Sequence, residues 1–361
     1  MKNTHSCYAG IMTGNSMDAA DAVLLSVKGG NMQVVASARQ TMPRALAKEL
    51  RHLAEGGEAA AAAFMRAQNK LTKLCAAAFV KLGKPAAAVG CHGQTICHNP
   101  ARGFSMQMLN GALLAELTKC DVVCDFRARD IATGGQGAPL APFFHHAVFA
   151  KLAPCAVVNI GGIANITMLE DDGNMTAWDT GPGCMLMDDW HRQKRGGNFD
   201  SGGRWAAGGK VIAPLLAKWQ RRRFFIKPPP KSCGREEFSP ALFCDDYRHN
   251  TPRDIQRTLL ELTAQAIADA AGVKVANKRV IKKSATTGKM PIYLCGGGAR
   301  NDYLANRIAA LSKAPVYLSD SMGIAAEQME AAAFAWLAMQ HLRGKPINTT
   351  APRIAGAHYP K

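Results

Sequence analysis

Two stretches of this chain run through the same order of elements, and that repetition limits the fold more than any other feature. In the first half, the strands SCYAGIM, DAVLLSV and MQVVASARQT precede an alanine-rich helical region over residues 43–81. The strand AAAVGCH, a helix over 110–119 and the strand VVCDF follow. In the second half, CAVVNIG, IANITML and MTAWDT precede helical segments, then PIYLCGG, a helix over 301–312, PVYLS and a closing helix over 325–342. A helix over 251–271 has Thr251 as N-cap and Pro252 at its first position. Residue identity between the halves is slight, so it is the order of elements that repeats. At 361 residues the chain exceeds what one core usually supports. The expectation is an α/β protein of two domains with an interdomain cleft that holds a ligand. The crossing DFRARDIATGGQGAPLAPFFHH sets the boundary: residues 1–135, joined by the tail 345–361, and residues 136–344.

Three glycine turns stand at strand ends. In GIMTGNSMDAAD, a hairpin containing Gly14 and Ser16 has the shape to wrap a terminal phosphate, with Asp18 or Asp21 orienting a magnesium ion through water. NIGGIAN, with Gly161 and Gly162, occupies the equivalent place in the second half, and Gly181 and Gly183 follow nearby. Glycine lets backbone N–H groups approach an anion without an intervening Cβ. In LCGGGARND, Gly296, Gly297 and Gly298 join a strand to a helix, a junction against which a nucleotide can lie. Read alone, each turn is also an ordinary turn. No GxxxxGK[ST] occurs, which removes the P-loop class.

Asp179, in WDTGPG, sits where it can deprotonate a nucleophile. His92 and Gln94 in GCHGQTICH fit no zinc spacing and read as substrate contacts at a strand's C-terminal end. Arg127, Arg129 and Asp130 form either an ion pair or an anion site, and Arg129 is favoured for the anion because guanidinium matches a carboxylate bidentately. Glu330 lies among apolar neighbours, which suggests a carboxylate turned into a cleft. Asp188 and Asp189 read as first-turn acids favoured by the helix dipole.

Composition excludes other classes. No apolar run is long enough to span a membrane and MKNTHSCYAGIM has no signal-peptide order, so a cytoplasmic protein without a membrane partner is expected. The 11 cysteines lack CxxC pairs and read as reduced thiols, with Cys120 and Cys124 packed in a strand. A net charge of +17 raises the question of nucleic acid, but the basic residues are dispersed. The denser clusters, Arg221 to Lys231 and Lys278 to Lys289, have no interleaved stacking aromatics, so no nucleic-acid partner is expected.

In order, GIMTGNSMDAADAVL, GCHGQTICHNP, DFRARDIATGGQGAPLAP, NIGGIANIT, WDTGPGCMLMD, PPPKSCGREEF, CGGGARN and EAAAFAWLA resemble the anhydro-N-acetylmuramic acid kinases of bacterial cell-wall recycling. The resemblance spans nearly the whole chain, to the ending TTAPRIAGA. It implies the two-domain fold of actin, hexokinase and Hsp70 with duplicated ribonuclease-H-like cores, and a homodimer. It also implies a coupled reaction in which ATP, water and 1,6-anhydro-N-acetylmuramic acid give N-acetylmuramic acid 6-phosphate and ADP. On this reading Asp179 is the base that activates water. Gly14, Asn15, Ser16, Met17, Asp18, Ala19, Ala20, Asp21, Gly161, Gly162, Gly181, Gly296, Gly297, Gly298 and Asn301 hold ATP. His92, Gln94, Arg129 and Glu330 hold the sugar, and Mg2+ is contacted through water by Asp18, Asp21 or Glu330.

The chain departs from the family's pattern at three places. Asn15 replaces threonine and Ala19 replaces glycine in the first turn, and Cys184 replaces asparagine after DTGPG. If Ala19 must take positive φ, the turn is strained by roughly 1 kcal/mol or more. The alternatives are a general sugar kinase of the same fold, a weakened sensor that binds sugar or nucleotide, and a nucleic-acid-binding protein.

Overall fold

The computed structural model describes residues 6–14, 16–238, 250–276, 279–281, 289–348 and 352–361. The chain forms two units, one of Met1–Phe144, Met322–Ile324 and Gln328–Lys361, the other of His145–Ser321 and Ala325–Glu327.

In the first unit, strands Ser6–Thr13, Ala19–Lys28 and Asn31–Thr41 form an antiparallel meander. Ala88–Cys91 then adds parallel to Ser6–Thr13, Asp121–Cys124 adds parallel to Ala88–Cys91, and Ala357–Tyr359 closes the edge antiparallel. In the second unit, Cys155–Ile160, Ile163–Leu169 and Met175–Pro182 form the meander, and Ile292–Cys295 and Val316–Leu318 add parallel beside Cys155–Ile160. Numbered by appearance within each unit, the order is third, second, first, fourth, fifth in both sheets. This is the duplicated ribonuclease-H-like arrangement. The central strands Cys155–Ile160 and Ile292–Cys295 are buried along their whole length, as runs apolar but for Asn159 require in a sheet covered on both faces.

The helical region over 43–81 is two helices, Arg44–Ala54 and Ala61–Val80, separated at Gly56 and Gly57. Gln94–Asn99, within the polar stretch HGQTICHNP, forms a short hairpin with Phe104–Met108. The helix Pro252–Ala271 starts as expected, with Thr251 Oγ1 accepting from the Asp254 N–H at 3.2 Å. It is tied to the helix Asp302–Ser312 through Glu261, which pairs with Arg307 at 2.6 Å and with Arg257 of its own helix at 2.7 Å.

The closing helix is Met329–Leu342, preceded by 3-10 turns rather than starting at residue 325. It packs on strands of the first unit, although the sequence boundary gave residues 136–344 to the second domain. The reason is two glycines. A Cβ on Gly10 would overlap the Ala331 carbonyl oxygen and one on Gly90 the Phe334 carbonyl oxygen, so their absence lets the helix backbone lie directly on the sheet. That close approach, with Ala331, Ala332, Ala335 and Ala338 all buried, fixes the helix to the first unit. The described cysteines form no disulfide, and no described helix is long and apolar enough to cross a membrane.

Candidate active site

The first unit's hairpin connects its first two strands. Gly14 O accepts from the Met17 N–H at 3.0 Å, and Met17 takes φ 51 while its side chain is buried. Ala19 is therefore not the strained residue; it opens the second strand opposite Thr41, and the left-handed position falls two residues earlier. Burying the Met17 side chain offsets a conformational cost of about 1–2 kcal/mol. Ser16 Oγ donates to Asp18 Oδ1 at 2.6 Å, and Arg51 donates to Ser16 O at 3.0 Å. Arg39 bridges the two acids, at 2.5 Å from Asp18 and 3.1 Å from Asp21. Ala20 is a buried strand residue, and Asn15 lies outside the described residues.

Beside this hairpin, Thr13 Oγ1 donates to Gly93 O at 2.9 Å and the His92 N–H to Ile11 O at 3.1 Å, which joins the turn to the polar cluster. His92 is buried against Phe334. Its Nδ1 lies 2.9 Å from Gly93 O and its Nε2 3.0 Å from Arg127 Nη2, so Nδ1 carries the proton and Nε2 accepts from the guanidinium. Burial, then the Arg127 charge, brings the imidazole down to about 3, and it is neutral at any working pH. Arg127 also donates to Gly137 O at 2.9 Å. Burial brings it down to about 10, opposed by the Glu330 carboxylate. His92, Arg127 and Glu330 thus share one region, with Glu330 exposed in the first turn of the closing helix. Arg129, favoured from sequence, is exposed and has no such partner among the described residues; the choice between two arginines two residues apart turns on which side chain lies over His92. Asp130 is buried and accepts from the Gly137 N–H at 2.6 Å, organising the loop. Gln94 is 1% exposed, and neither its amide nitrogen nor its oxygen has a hydrogen-bond partner among the described residues. An orphaned buried amide costs about 1–3 kcal/mol, which a ligand's polar groups would recover.

In the second unit the turn Gly161–Gly162 is held by main chain. Gly183 N–H and Met185 N–H donate to Gly162 O, at 2.8 and 3.2 Å, and Cys184 N–H donates to Gly161 O at 2.8 Å. A Cβ on Gly183 would overlap Gly161 O. Cys184 Sγ packs beside Gly298, and burial pushes its thiol well up, so it serves as filling. Gly298 also lies against Ile160, so the glycine turn and the triple glycine meet there. Gly296 has φ 81 and abuts Asn159, whereas Gly297 faces open space. Asn301 Oδ1 caps the helix Asp302–Ser312, accepting from the Leu304 N–H at 3.0 Å. Asp188 lies in the first turn of the helix Met185–Arg195, as expected, and there burial pushes it up to about 7, against Arg192.

Asp179 stands on the edge strand Met175–Pro182 just before a bulge between Asp179 and Gly181, where φ of Gly181 is 145. Bulges re-aim side chains next to active sites. Cys233 N–H donates to Asp179 Oδ2 at 2.9 Å, with Sγ at 3.8 Å, and Asp179 N–H donates to Lys231 O at 2.9 Å. Burial raises the carboxyl above its ordinary value, and the Cys233 contacts partly oppose this. Sequence reading missed Cys233, Lys231 and Arg39 as neighbours of the site. PPPKSCGREEF carried the first two only as a motif, whereas the register of a hairpin turning at Gly29 and Gly30 sets Arg39 opposite Asp21. No group of three His, Cys, Asp or Glu that could hold a metal occurs among the described residues.

Each ribonuclease-H-like unit thus carries glycine turns at matching strand ends, and the second adds a half-buried carboxylate, Asp179. The family model for anhydro-N-acetylmuramic acid kinase matches residues 6–361. The chain belongs to the anhydro-N-acetylmuramic acid kinase family. It is 41% identical over 375 residues to the enzyme so named from Nitrosomonas europaea, covering 98% of this chain and 99% of that one. To its namesake from Nitrosospira multiformis it is 42% identical over 374 residues, covering 98% of each. Among solved structures, the activator of the 2-hydroxyisocaproyl-CoA dehydratase from Clostridium difficile with bound ADPNP aligns at TM-score 0.47 and 12% identity, over 94% of this chain and 96% of its own.

Proposed function

We propose that the chain opens and phosphorylates 1,6-anhydro-N-acetylmuramic acid at the expense of ATP in the cytosol, as a step of peptidoglycan recycling, with Asp179 as the general base. A proton passes from water to Asp179 while the water oxygen bonds to C1 of the sugar. The C1–O6 bond breaks, O6 bonds to the γ-phosphorus, and the bond from that phosphorus to the β-phosphate oxygen breaks to release ADP. Because O6 is captured by phosphorus, one carboxylate serves without a separate acid. The observation that carries this reading is the state of Asp179: Oδ2 is held by Cys233, and no described residue bonds Oδ1. Burial raises its affinity for a proton towards that of an effective base.

Arg127, rather than Arg129, is the cation we assign to the sugar's carboxylate, because His92 and Gly137 hold it in place. Gln94 and Glu330 complete the sugar contacts. The phosphates lie at Gly14, Gly161, Gly162 and Gly297. At none of these would an added Cβ meet more than ordinary contact, so the fold itself leaves room there for a ligand. Mg2+ held chiefly by phosphate oxygens and water needs only one or two carboxylates, which Asp18 and Asp21 can offer once Arg39 turns towards phosphate. It would neutralise phosphate charge.

The test is ADP release with magnesium-ATP and 1,6-anhydro-N-acetylmuramic acid, ordinary N-acetylmuramic acid or no sugar. Turnover with the anhydro sugar alone, yielding the 6-phosphate, is expected; turnover with the open sugar alone would make this a simple sugar kinase. Asp179→Asn is expected to bind ATP but lose at least about 100-fold in turnover. Near-normal turnover would overturn the base assignment.

A further inference from the structure

Asp179 is held by a reciprocal bracket 52 to 54 residues further along the chain. Its N–H donates to Lys231 O, and Cys233 N–H donates back to Oδ2, so one short segment grips both the main chain and the carboxylate. The segment is itself anchored. Lys231 Nζ donates to Phe224 O at 2.9 Å and to Phe225 O at 3.3 Å, and sits 4.5 Å from the centroid of the Phe224 ring. Phe224 is buried in the second unit's core, against Phe238. An ammonium that spends its donors on two consecutive carbonyls at the end of the short helix Arg223–Ile226 acts as a strut. It is unavailable as a surface charge, although sequence composition places it in a basic cluster.

We propose that Lys231 and Cys233 are positioning residues for the general base: Lys231 fixes the segment, and Cys233 fixes Oδ2 so that Oδ1 is the oxygen presented to water. This inference rests on Asp179 being the base. The directional consequence is physical. A hydrogen bond to the ionised carboxylate favours that form, so losing it raises the carboxyl's proton affinity further and frees its rotation. A base misplaced by about 1 Å costs on the order of 100-fold.

The experiment compares kcat, KM for ATP and the acid limb of kcat/KM against pH for wild type, Lys231→Met, Lys231→Arg, Cys233→Ala and Cys233→Pro, with Asp179→Asn alongside. Lys231→Met is expected to lower kcat by roughly 10- to 100-fold, move the acid limb to higher pH and leave KM for ATP unchanged. Lys231→Arg, which keeps donors for the two carbonyls, is expected to restore most of it. Cys233→Ala keeps the N–H but loses the Sγ contact and is expected to fall only a few-fold, whereas Cys233→Pro also removes the main-chain donor and falls with Lys231→Met. If Cys233→Pro does not fold, the Lys231 pair decides. A wild-type kcat and acid limb in Lys231→Met, with Asp179→Asn inactive, overturns the bracket and leaves the base standing. Turnover retained in Asp179→Asn instead removes the base assignment and the bracket with it.

Discussion

The turn between the first two strands is built differently in the two units. In the first, side chains reinforce a main-chain bond from Met17 N–H to Gly14 O: Ser16 bonds Asp18, Arg39 bridges Asp18 and Asp21, and Arg51 reaches Ser16 O. In the second, main-chain donors of Gly183, Cys184 and Met185 clasp the carbonyls of Gly161 and Gly162, with no charged group involved. Ala19 can stand where the family pattern has glycine because it is already a strand residue, the left-handed position of this turn falling at Met17. A turn held by backbone contact tolerates almost nothing at the point of contact.

The same small substitution in each turn tests this difference most severely. Gly183→Ala pushes a methyl into Gly161 O and is expected to cost about 1–3 kcal/mol in urea unfolding, with loss of turnover. Gly14→Ala meets nothing nearer than Ser16 Oγ at 3.6 Å, so its stability should be close to wild type while KM for ATP rises. Equal destabilisation by the two would break the distinction. Next in size is Asp188→Asn, on the helix that follows the backbone-held turn. With the folded carboxyl at about 7 and an unfolded value near 3.8, wild type loses stability as pH rises from about 4 to 7. The asparagine variant should therefore gain a few degrees in Tm over wild type at pH 8, and the gain should shrink towards pH 5. The smallest effect belongs to Arg39→Met. Its ion pairs are exposed, so about 0–1 kcal/mol is expected, falling further in high salt. A large salt-insensitive loss would mean that the side-chain-held turn is as rigid as the other.

Much of this was readable in the residues. Alternation and unbroken apolar runs marked all ten strands of the two main meanders and their parallel additions, and the repeated order followed from them. Where reading failed, the cause was contact across long separations. The closing helix is apolar nearly all round, so its periodicity points to no particular sheet; only the empty faces of Gly10 and Gly90 say where it goes. Cys233 reaches Asp179 across 54 residues of sequence. Gly183 looked like one turn glycine among several, yet the neighbouring backbone excludes a Cβ there, as it does at Gly296.

The helix laid on Gly10 and Gly90 also sets an order of assembly. The residues of the second unit run only to 327, whereas the first, whose leading strands are made before any of the second, needs a helix made after all of it. Its sheet must wait while the second unit is made with a face meant for that helix uncovered. A stop codon just before Gln328 would leave the later-made unit whole and damage the earlier-made one.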